Sequence, residues 1–364
     1  MAEPTAPVAC KTILANTIAK GLLGEVHQTL ETLGKKPSLV AFLANSDPHA
    51  MQYAEWSKKT CEEKYGCPGL APSRWLFCIA LHALHNRHML APSLFGFDFE
   101  LRQVDKEELE EKILEANVDD KVDGIIVYYP IFPGNLMHDK YIQETVALDK
   151  DVEGLCHTHL HNMYHNVRFL DAPTNLKKSI LPCTPLAVVK IMEYLQLYNP
   201  LLAYGNRLYG KTITIINRSE VNGRPLAALL ANDGATVYSV DITGVQIFTR
   251  GQGIRQVRHQ VHDKEGWELK DALPLSDVII GGVPVESYKI PTDLIREGAV
   301  CINFSSFRNF DGPAIKERAS IYVPSVGKVT IAMLLRNLVR LITNKADVKR
   351  NEEENAEIKT KASA

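Results

Sequence analysis

The sequence predicts an α/β fold built from two open domains, and three observations carry that reading. Short, charge-poor, β-rich runs recur at Ser38 to Leu43, Gly124 to Tyr129, Thr212 to Ile216, Ala235 to Val240, Ser276 to Ile280 and Ala299 to Phe304, the composition of parallel strands buried on both faces. Helical spacing of apolar residues separates several of them. Turn-formers stand at their carboxyl ends, where open α/β sheets bind ligands. At 364 residues the chain is long enough for two full-sized cores.

With 45% hydrophobic and 23% charged residues and a formal net charge of -2, the composition is that of a soluble globular protein. Nothing in that balance suggests a nucleic-acid or anionic-membrane partner, and the longest apolar runs, about ten residues, are too short to span a bilayer. The N-terminus MAEPTAPVACKTI has neither the apolar core of a signal peptide nor an Arg-rich amphipathic pattern, so a cytoplasmic location is expected. Cys10, Cys61, Cys67, Cys78, Cys156, Cys183 and Cys301 are scattered and odd in number. They read as reduced thiols rather than a disulfide or zinc framework.

In chain order, Ile13, Leu14, Ile18, Leu22, Leu23, Val26 and Leu30 predict an amphipathic helix over residues 11–33. The strand from Ser38 to Leu43 is followed by the turn Asn45-Ser46-Asp47-Pro48 and a helix from His49 to Lys64, on which Tyr53 and Ser57 share a face at i, i+4. The strand from Gly124 ends at Pro130. A helix around 140–148 leads to the acidic turn Asp151-Val152-Glu153-Gly154. Cys183 then precedes a helix from Leu186 to Leu195. A thiol there is in a field that favours thiolate, and a buried packing cysteine is the equal alternative on chemistry alone.

Residues 209–241 read as strand, polar turn, helix and strand, the order of a dinucleotide-binding βαβ unit. Thr212 to Ile216 leads into Asn217-Arg218-Ser219; Gly223 allows a close backbone approach, Pro225 suits a first helical turn, and Leu226 to Leu230 supply the buried stripe. Val240 and Asp241 end the second strand. A carboxylate there accepts from the adenine ribose hydroxyls and repels a 2′-phosphate, which points to NAD rather than NADP. The usual G-x-G-x-x-G is absent, Asn217 and Val221 standing where glycines are expected, so an ordinary βαβ unit without a ligand remains the alternative. Gly282, Val283 and Pro284 form the next strand-end turn beside the cofactor, and Asn303 is placed for its nicotinamide end. Pro324, Val326 and Gly327 precede a helix from Ile331 to Leu341, and the Lys-, Glu- and Asn-rich tail, 345–364, is expected to be disordered.

Together, Tyr53, Lys150-Asp151-Val152-Glu153-Gly154, Leu181-Pro182-Cys183-Thr184-Pro185, Arg218-Ser219-x-x-x-Gly223-x-Pro225 and Pro324-Ser325-Val326-Gly327-Lys328-Val329-Thr330 resemble the methylenetetrahydrofolate dehydrogenase/cyclohydrolase family over nearly the whole chain. The likeness is greatest to its monofunctional, NAD-dependent, cytoplasmic branch. It implies a folate-binding domain over 1–182 and 327–364, a Rossmann-like NAD-binding domain over 183–326, a folate cleft between them, and a homodimer. It implies hydride transfer from a tetrahydrofolate substrate to NAD, with Tyr53 and Cys183 as catalytic residues. Tyr53, Ser57, Tyr128, Glu153, Pro324, Val326 and Gly327 would contact substrate, and Arg218, Ser219, Gly223, Val240, Asp241, Gly282, Val283, Pro284 and Asn303 the cofactor.

Two departures are informative. Bifunctional members carry Y-x-x-x-K, the lysine handling water and protons in ring opening; here Ser57 stands at i+4, and Lys58 is rotated about 100° around the helix. The family's V-Q-L-P is Val127-Tyr128-Tyr129-Pro130, replacing the lysine's glutamine partner. Both losses imply that hydride transfer is kept and the cyclohydrolase step lost. The alternatives are a bifunctional enzyme using Lys58 or another base, and a non-catalytic NAD-binding scaffold.

Residues 67–96 have no counterpart in the resemblance and read as a family-specific surface loop or as an untranslated intron retained in the predicted gene. His82, His85 and His88 within it, and His157, His159, His161 and His165 on what reads as a mobile loop, have spacings that can be imagined around a metal. No carboxylate supports the first set, and no metal is expected at either.

Overall fold

The computed structural model describes residues 10–62, 96–251 and 256–362. The atypical segment at 67–96, with its three histidines, lies outside the described residues except for Gly96. The described chain forms two compact units, divided after Ala19, Cys156 and Met333.

The first elements are β1 (Lys11–Thr12), α1 (Ala15–Leu33), β2 (Ser38–Leu43), α2 (Pro48–Glu62), β3 (Asp98–Gln103), α3 (Leu109–Val118), β4 (Gly124–Val127) and α4 (Leu136–Thr145). The unit containing residues 20–156 is built on a parallel sheet ordered β3-β2-β4. Its core joins Val40 and Phe42 of β2, Ile125 and Val127 of β4, Leu109 and Ile113 of α3, and Ile142 of α4. All are at most 2% exposed. The central strand's run of six apolar-rich residues is thereby explained, since both its faces are covered. On the other face Gly124 is required by packing: a Cβ there would lie 2.6 Å from Val152 and 2.7 Å from Leu338 of the last helix.

The remaining elements are α5 (His157–Tyr164), α6 (Cys183–Tyr194), β5 (Thr212–Ile216), α7 (Gly223–Asn232), β6 (Thr236–Asp241), β7 (Gly244–Thr249), β8 (Gln260–Asp263), α8 (Leu269–Ala272), β9 (Val278–Gly281), β10 (Val300–Asn303), α9 (Gly312–Arg318), β11 (Ile321–Val323) and α10 (Gly327–Ala362). The second unit's sheet is ordered β1-β11-β10-β9-β5-β6-β7-β8. It is parallel from β1 to β6, and β7 and β8 add an antiparallel edge. After β5 the chain proceeds to β6 on one side and later to β9 on the other. Ligands bind outside the carboxyl ends of strands at such a switch point, here Ile216 and Gly281, which are register partners.

Several boundaries differ from the sequence expectation. Lys11–Thr12 is a strand rather than the start of the first helix, because it pairs with β11, and Leu14 is 57% exposed. Residues 157–182 pack with the Rossmann-like unit: Asn232 Nδ2 of α7 donates to Met163 O of α5 at 3.3 Å, and Arg168 pairs with Asp233 at 2.6 Å. The tail expected to be disordered is helical through Ala362. Its Lys, Glu and Ala content is that of a strong helix former, which outweighs its lack of apolar residues.

Candidate active site

In the unit around the three-stranded sheet, the positions that depart from the bifunctional pattern come together. Tyr53 and Ser57 sit on α2, which follows β2, and Tyr128 directly follows β4. The Tyr53 and Tyr128 rings meet edge to face, 5.5 Å apart at 85°. Ser57 is fully buried and its hydroxyl donates to Tyr53 O at 2.8 Å. The Tyr128 phenol lies beside Ser57, and burial raises its pKa above the ordinary value. Its hydroxyl is buried without a hydrogen-bond partner among the described residues. Lys58 is exposed, as its one-step rotation requires.

Asn45, to which sequence reasoning gave only a turn, holds this corner together. Its amide donates to Tyr128 O at 2.8 Å and Pro130 O at 2.9 Å, so the ends of β2 and β4 are tied side by side. The acidic turn is organised by Asp151, whose Oδ1 accepts from Glu153 N and Gly154 N and whose Oδ2 accepts from Cys156 N. That is the structural role its position in the turn predicts. Glu153 makes no such loop of bonds. Desolvation, and then repulsion from Asp151, push its pKa up to about 8, against a backbone hydrogen bond from Val127.

In the Rossmann-like unit, the missing first glycine has a substitute. Asn217 has φ +94°, a conformation that Asn tolerates better than most side chains. Its amide donates to Gly282 O at 2.6 Å and its Oδ1 accepts from Ser219 N at 3.0 Å. Ser219 Oγ accepts from Asn222 N and Gly223 N, satisfying donors at the start of α7. Gly223 is needed because a Cβ would fall 1.8 Å from Asn217 O. The close approach expected there for a ligand is thus made first by the turn's own backbone. At the end of β6, where Val240 O accepts from Asn217 N, Asp241 Oδ2 accepts from Arg218 N at 2.5 Å and Oδ1 from Ile242 N at 2.7 Å. The Arg218 guanidinium is directed into the β6–β7 turn rather than onto that carboxylate.

The strand-end turn at 282–284 is fixed by neighbours in its own unit. A Cβ on Gly282 would lie 1.8 Å from the Phe304 ring, so this glycine answers to an aromatic neighbour. Val283 N donates to Asn309 Oδ1, and Val283 O accepts from Asn309 Nδ2 and Ser305 Oγ, while Pro284 is exposed. Asn303, expected at the nicotinamide end, is 1% exposed; its amide donates to Ser305 O and Phe307 O and its oxygen accepts from Asn309 N. It folds the 303–309 loop against the switch-point turn, a pairing of Asn303 with Asn309 that needs the folded loop to be seen. Gly282→Ala is expected to cost about 2 kcal/mol through overpacking, read as a lower urea midpoint. An unchanged midpoint would show that the Phe304 ring swings away freely.

Cys183 is buried as the first residue of α6. Pro324 is half-buried, Val326 buried, and Gly327 opens α10, where Val326 O accepts from Val329 N and Thr330 N. The second histidine group begins on a helix, not a loop: α5 carries His157, His159 and His161, and His165 directly follows it. His157, His161 and His165 therefore follow one another at i, i+4 and are exposed, with the His161 and His165 rings stacked 3.9 Å apart, while His159 faces inward.

Models of the tetrahydrofolate dehydrogenase/cyclohydrolase catalytic domain and of its NAD(P)-binding domain match residues 89–153 and 182–252. A methylenetetrahydrofolate dehydrogenase [NAD(+)] of Schizosaccharomyces pombe is 54% identical over 333 residues, 92% of this chain and 93% of the relative. One of Saccharomyces cerevisiae is 50% identical, over 92% of this chain and 96% of its own. The solved structure of the NAD-dependent 5,10-methylenetetrahydrofolate dehydrogenase from Saccharomyces cerevisiae superposes with a TM-score of 0.80 at 49% identity, covering 94% of this chain and 99% of that one. On this similarity across both units, the chain belongs to the tetrahydrofolate dehydrogenase/cyclohydrolase family.

Proposed function

We propose that this protein oxidises 5,10-methylenetetrahydrofolate to 5,10-methenyltetrahydrofolate with NAD+ and does not catalyse the subsequent hydrolysis. The observation that carries the reading is the contact group of Tyr53, Ser57 and Tyr128. Where relatives able to open the methenyl ring place an ammonium and its amide partner, this chain has a buried hydroxyl and a phenol. The relatives named for the NAD(+) reaction support the retained half.

The residues present fit the cofactor. Asp241 is oriented by two backbone N–H groups and retains acceptor capacity for ribose hydroxyls, and Asn217, Ser219 and Gly223 shape a turn at the start of a helix. When bound, NAD+ supplies the hydride acceptor. Hydride loss leaves a cation spread over the two flanking folate nitrogens, so no strong general base is needed and the chain's task is positioning. In this reading Tyr53 flanks the pterin, Glu153 accepts from its donor edge, and Tyr128 packs where hydrolytic water would otherwise be activated. Cys183 and the 324–327 turn are further candidate contacts.

The wild-type protein is expected to form NADH from 5,10-methylenetetrahydrofolate and to leave methenyl hydrolysis at its spontaneous rate. The double variant Ser57→Lys/Tyr128→Gln restores both missing groups and is expected to raise hydrolysis at least about a hundredfold, the lower end of general acid–base contributions. Robust hydrolysis by the wild type would overturn the monofunctional reading; NAD binding without folate-dependent NADH would leave a non-catalytic scaffold. A cytoplasmic location belongs to the same proposal and rests on the family resemblance. The homodimer rests on the family resemblance, and sedimentation of the purified protein tests it.

A further inference from the structure

The turn that carries Asp241 is built from residues ill suited to it. Asp241 and Gly244 are register partners, leaving Ile242 and Thr243 as a two-residue connection between β6 and β7. Such connections favour Asn and Gly, which take positive φ readily. Ile242 and Thr243 are β-branched and neither has a positive φ; Gly244 supplies one at +111°. The outside of the turn offers no packing either, since Ile242 is fully exposed. Something else must fix the direction in which the carboxylate points.

Arg218 does this from beneath. Its Nη2 donates to Ser239 O and to Gly244 O, both at 2.7 Å, bridging the two strands across the base of the turn. Nε reaches Ser239 Oγ and Nη1 reaches Thr243 Oγ1, each at 3.2 Å. Of the five N–H donors of a guanidinium, four are thus engaged: one on Nε, one on Nη1 and two on Nη2. The same residue's backbone N–H binds Asp241 Oδ2. Arg218 therefore holds the carboxylate by its main chain and the turn behind it by its side chain.

We propose that Arg218 is a positioning residue, clamping the β6–β7 turn so that Asp241 faces the adenine ribose, rather than an anchor for phosphate. The proposal deepens the NAD-dependent reading and rests on it. Cofactor choice in this chain then depends on a carboxylate and on an arginine whose donors face inward, so that the Arg218 guanidinium is committed to the turn rather than to a 2′-phosphate.

Arg218→Lys separates the two roles. An ammonium is a competent point charge for phosphate, but cannot bridge two carbonyls and two hydroxyls. The clamp predicts that Arg218→Lys raises KM for NAD+ about tenfold, with kcat within about twofold and KM for the folate substrate unchanged. Thr243→Ala, an exposed position that removes one clamp bond, should shift KM for NAD+ in the same direction by about two- to threefold. Added inorganic phosphate should leave the wild-type KM for NAD+ unchanged. Wild-type-like cofactor kinetics in Arg218→Lys, or phosphate tightening NAD+ binding in the wild type but not in the variant, would overturn the proposal. Calorimetric titration of NAD+ into each variant reports the same differences without turnover. A wild type that forms no NADH would thus defeat the functional reading while still leaving the clamp decided by cofactor affinity. Should Arg218→Lys fail to fold, Thr243→Ala decides alone: an unchanged NAD+ affinity there refutes the clamp.

Discussion

Replacing Asp241 by serine is expected to lower kcat/KM for NAD+ roughly 10- to 100-fold and to raise that for NADP+ by about tenfold, through two separable effects. A carboxylate has about four acceptor sites; Arg218 N and Ile242 N occupy two, leaving two for the ribose hydroxyls. Hydrogen bonds to a charged group contribute roughly 1.5–3 kcal/mol, which converts to the stated loss. The gain with NADP+ comes from removing a like charge beside the 2′-phosphate. It stays modest because the Arg218 donors point into the turn, so serine uncovers no cationic partner. Steady-state kinetics with both cofactors measures the ratio directly, and an unchanged NAD+/NADP+ preference would refute the role given to Asp241.

What the sequence disclosed depended on how much of each element's environment is encoded locally. The strands Ser38–Leu43 and Thr212–Ile216 are buried on both faces, so their apolar runs announce them, and both coincide to the residue with the runs read from the sequence. The strand Asp98–Gln103 has the sequence DFELRQ and lies at a sheet edge with exposed ends; its residues carry little of the burial signal on which strand reading depends. The exposed edge strand Gln260–Asp263 escaped for the same reason. Within the site, residue types were more legible than their jobs. Asn217 was seen as a missing glycine, yet its positive φ and its bonds to Gly282 and Ser219 arise only when two strand ends meet. Asn303 is placed for the cofactor by its position at a strand end, whereas its bonds to Ser305, Phe307 and Asn309 emerge only when the loop folds around it. Ser57 and Tyr128 are 71 residues apart in the chain (128 − 57 = 71), and their shared corner exists because parallel strands β2 and β4 are adjacent.

Glu153→Gln is expected to have the second large effect, and its pH dependence makes it specific. Burial and Asp151 push the Glu153 pKa from 4.5 to about 8, so the carboxyl is largely protonated in the free protein at neutral pH. A pterin donor edge needs a carboxylate acceptor, and substrate binding must then include loss of that proton. KM for 5,10-methylenetetrahydrofolate should therefore fall about tenfold per pH unit as pH rises towards about 8, then level off. Gln has only one acceptor oxygen and no charge, so at pH above 8 its kcat/KM should lie roughly 10- to 100-fold below wild type, with the pH dependence gone. Stability moves the other way. Because the folded pKa lies above the unfolded value, the folded state holds a proton that the unfolded state releases between about pH 4.5 and 8. Wild-type stability attributable to this group is greatest below 4.5 and declines until pH passes 8. The neutral glutamine escapes that loss, so the Tm of the variant should exceed that of the wild type increasingly across this window. A Tm difference that is flat with pH, together with an unaltered KM profile, would remove Glu153 from the substrate site and leave Asp151's turn as its only context.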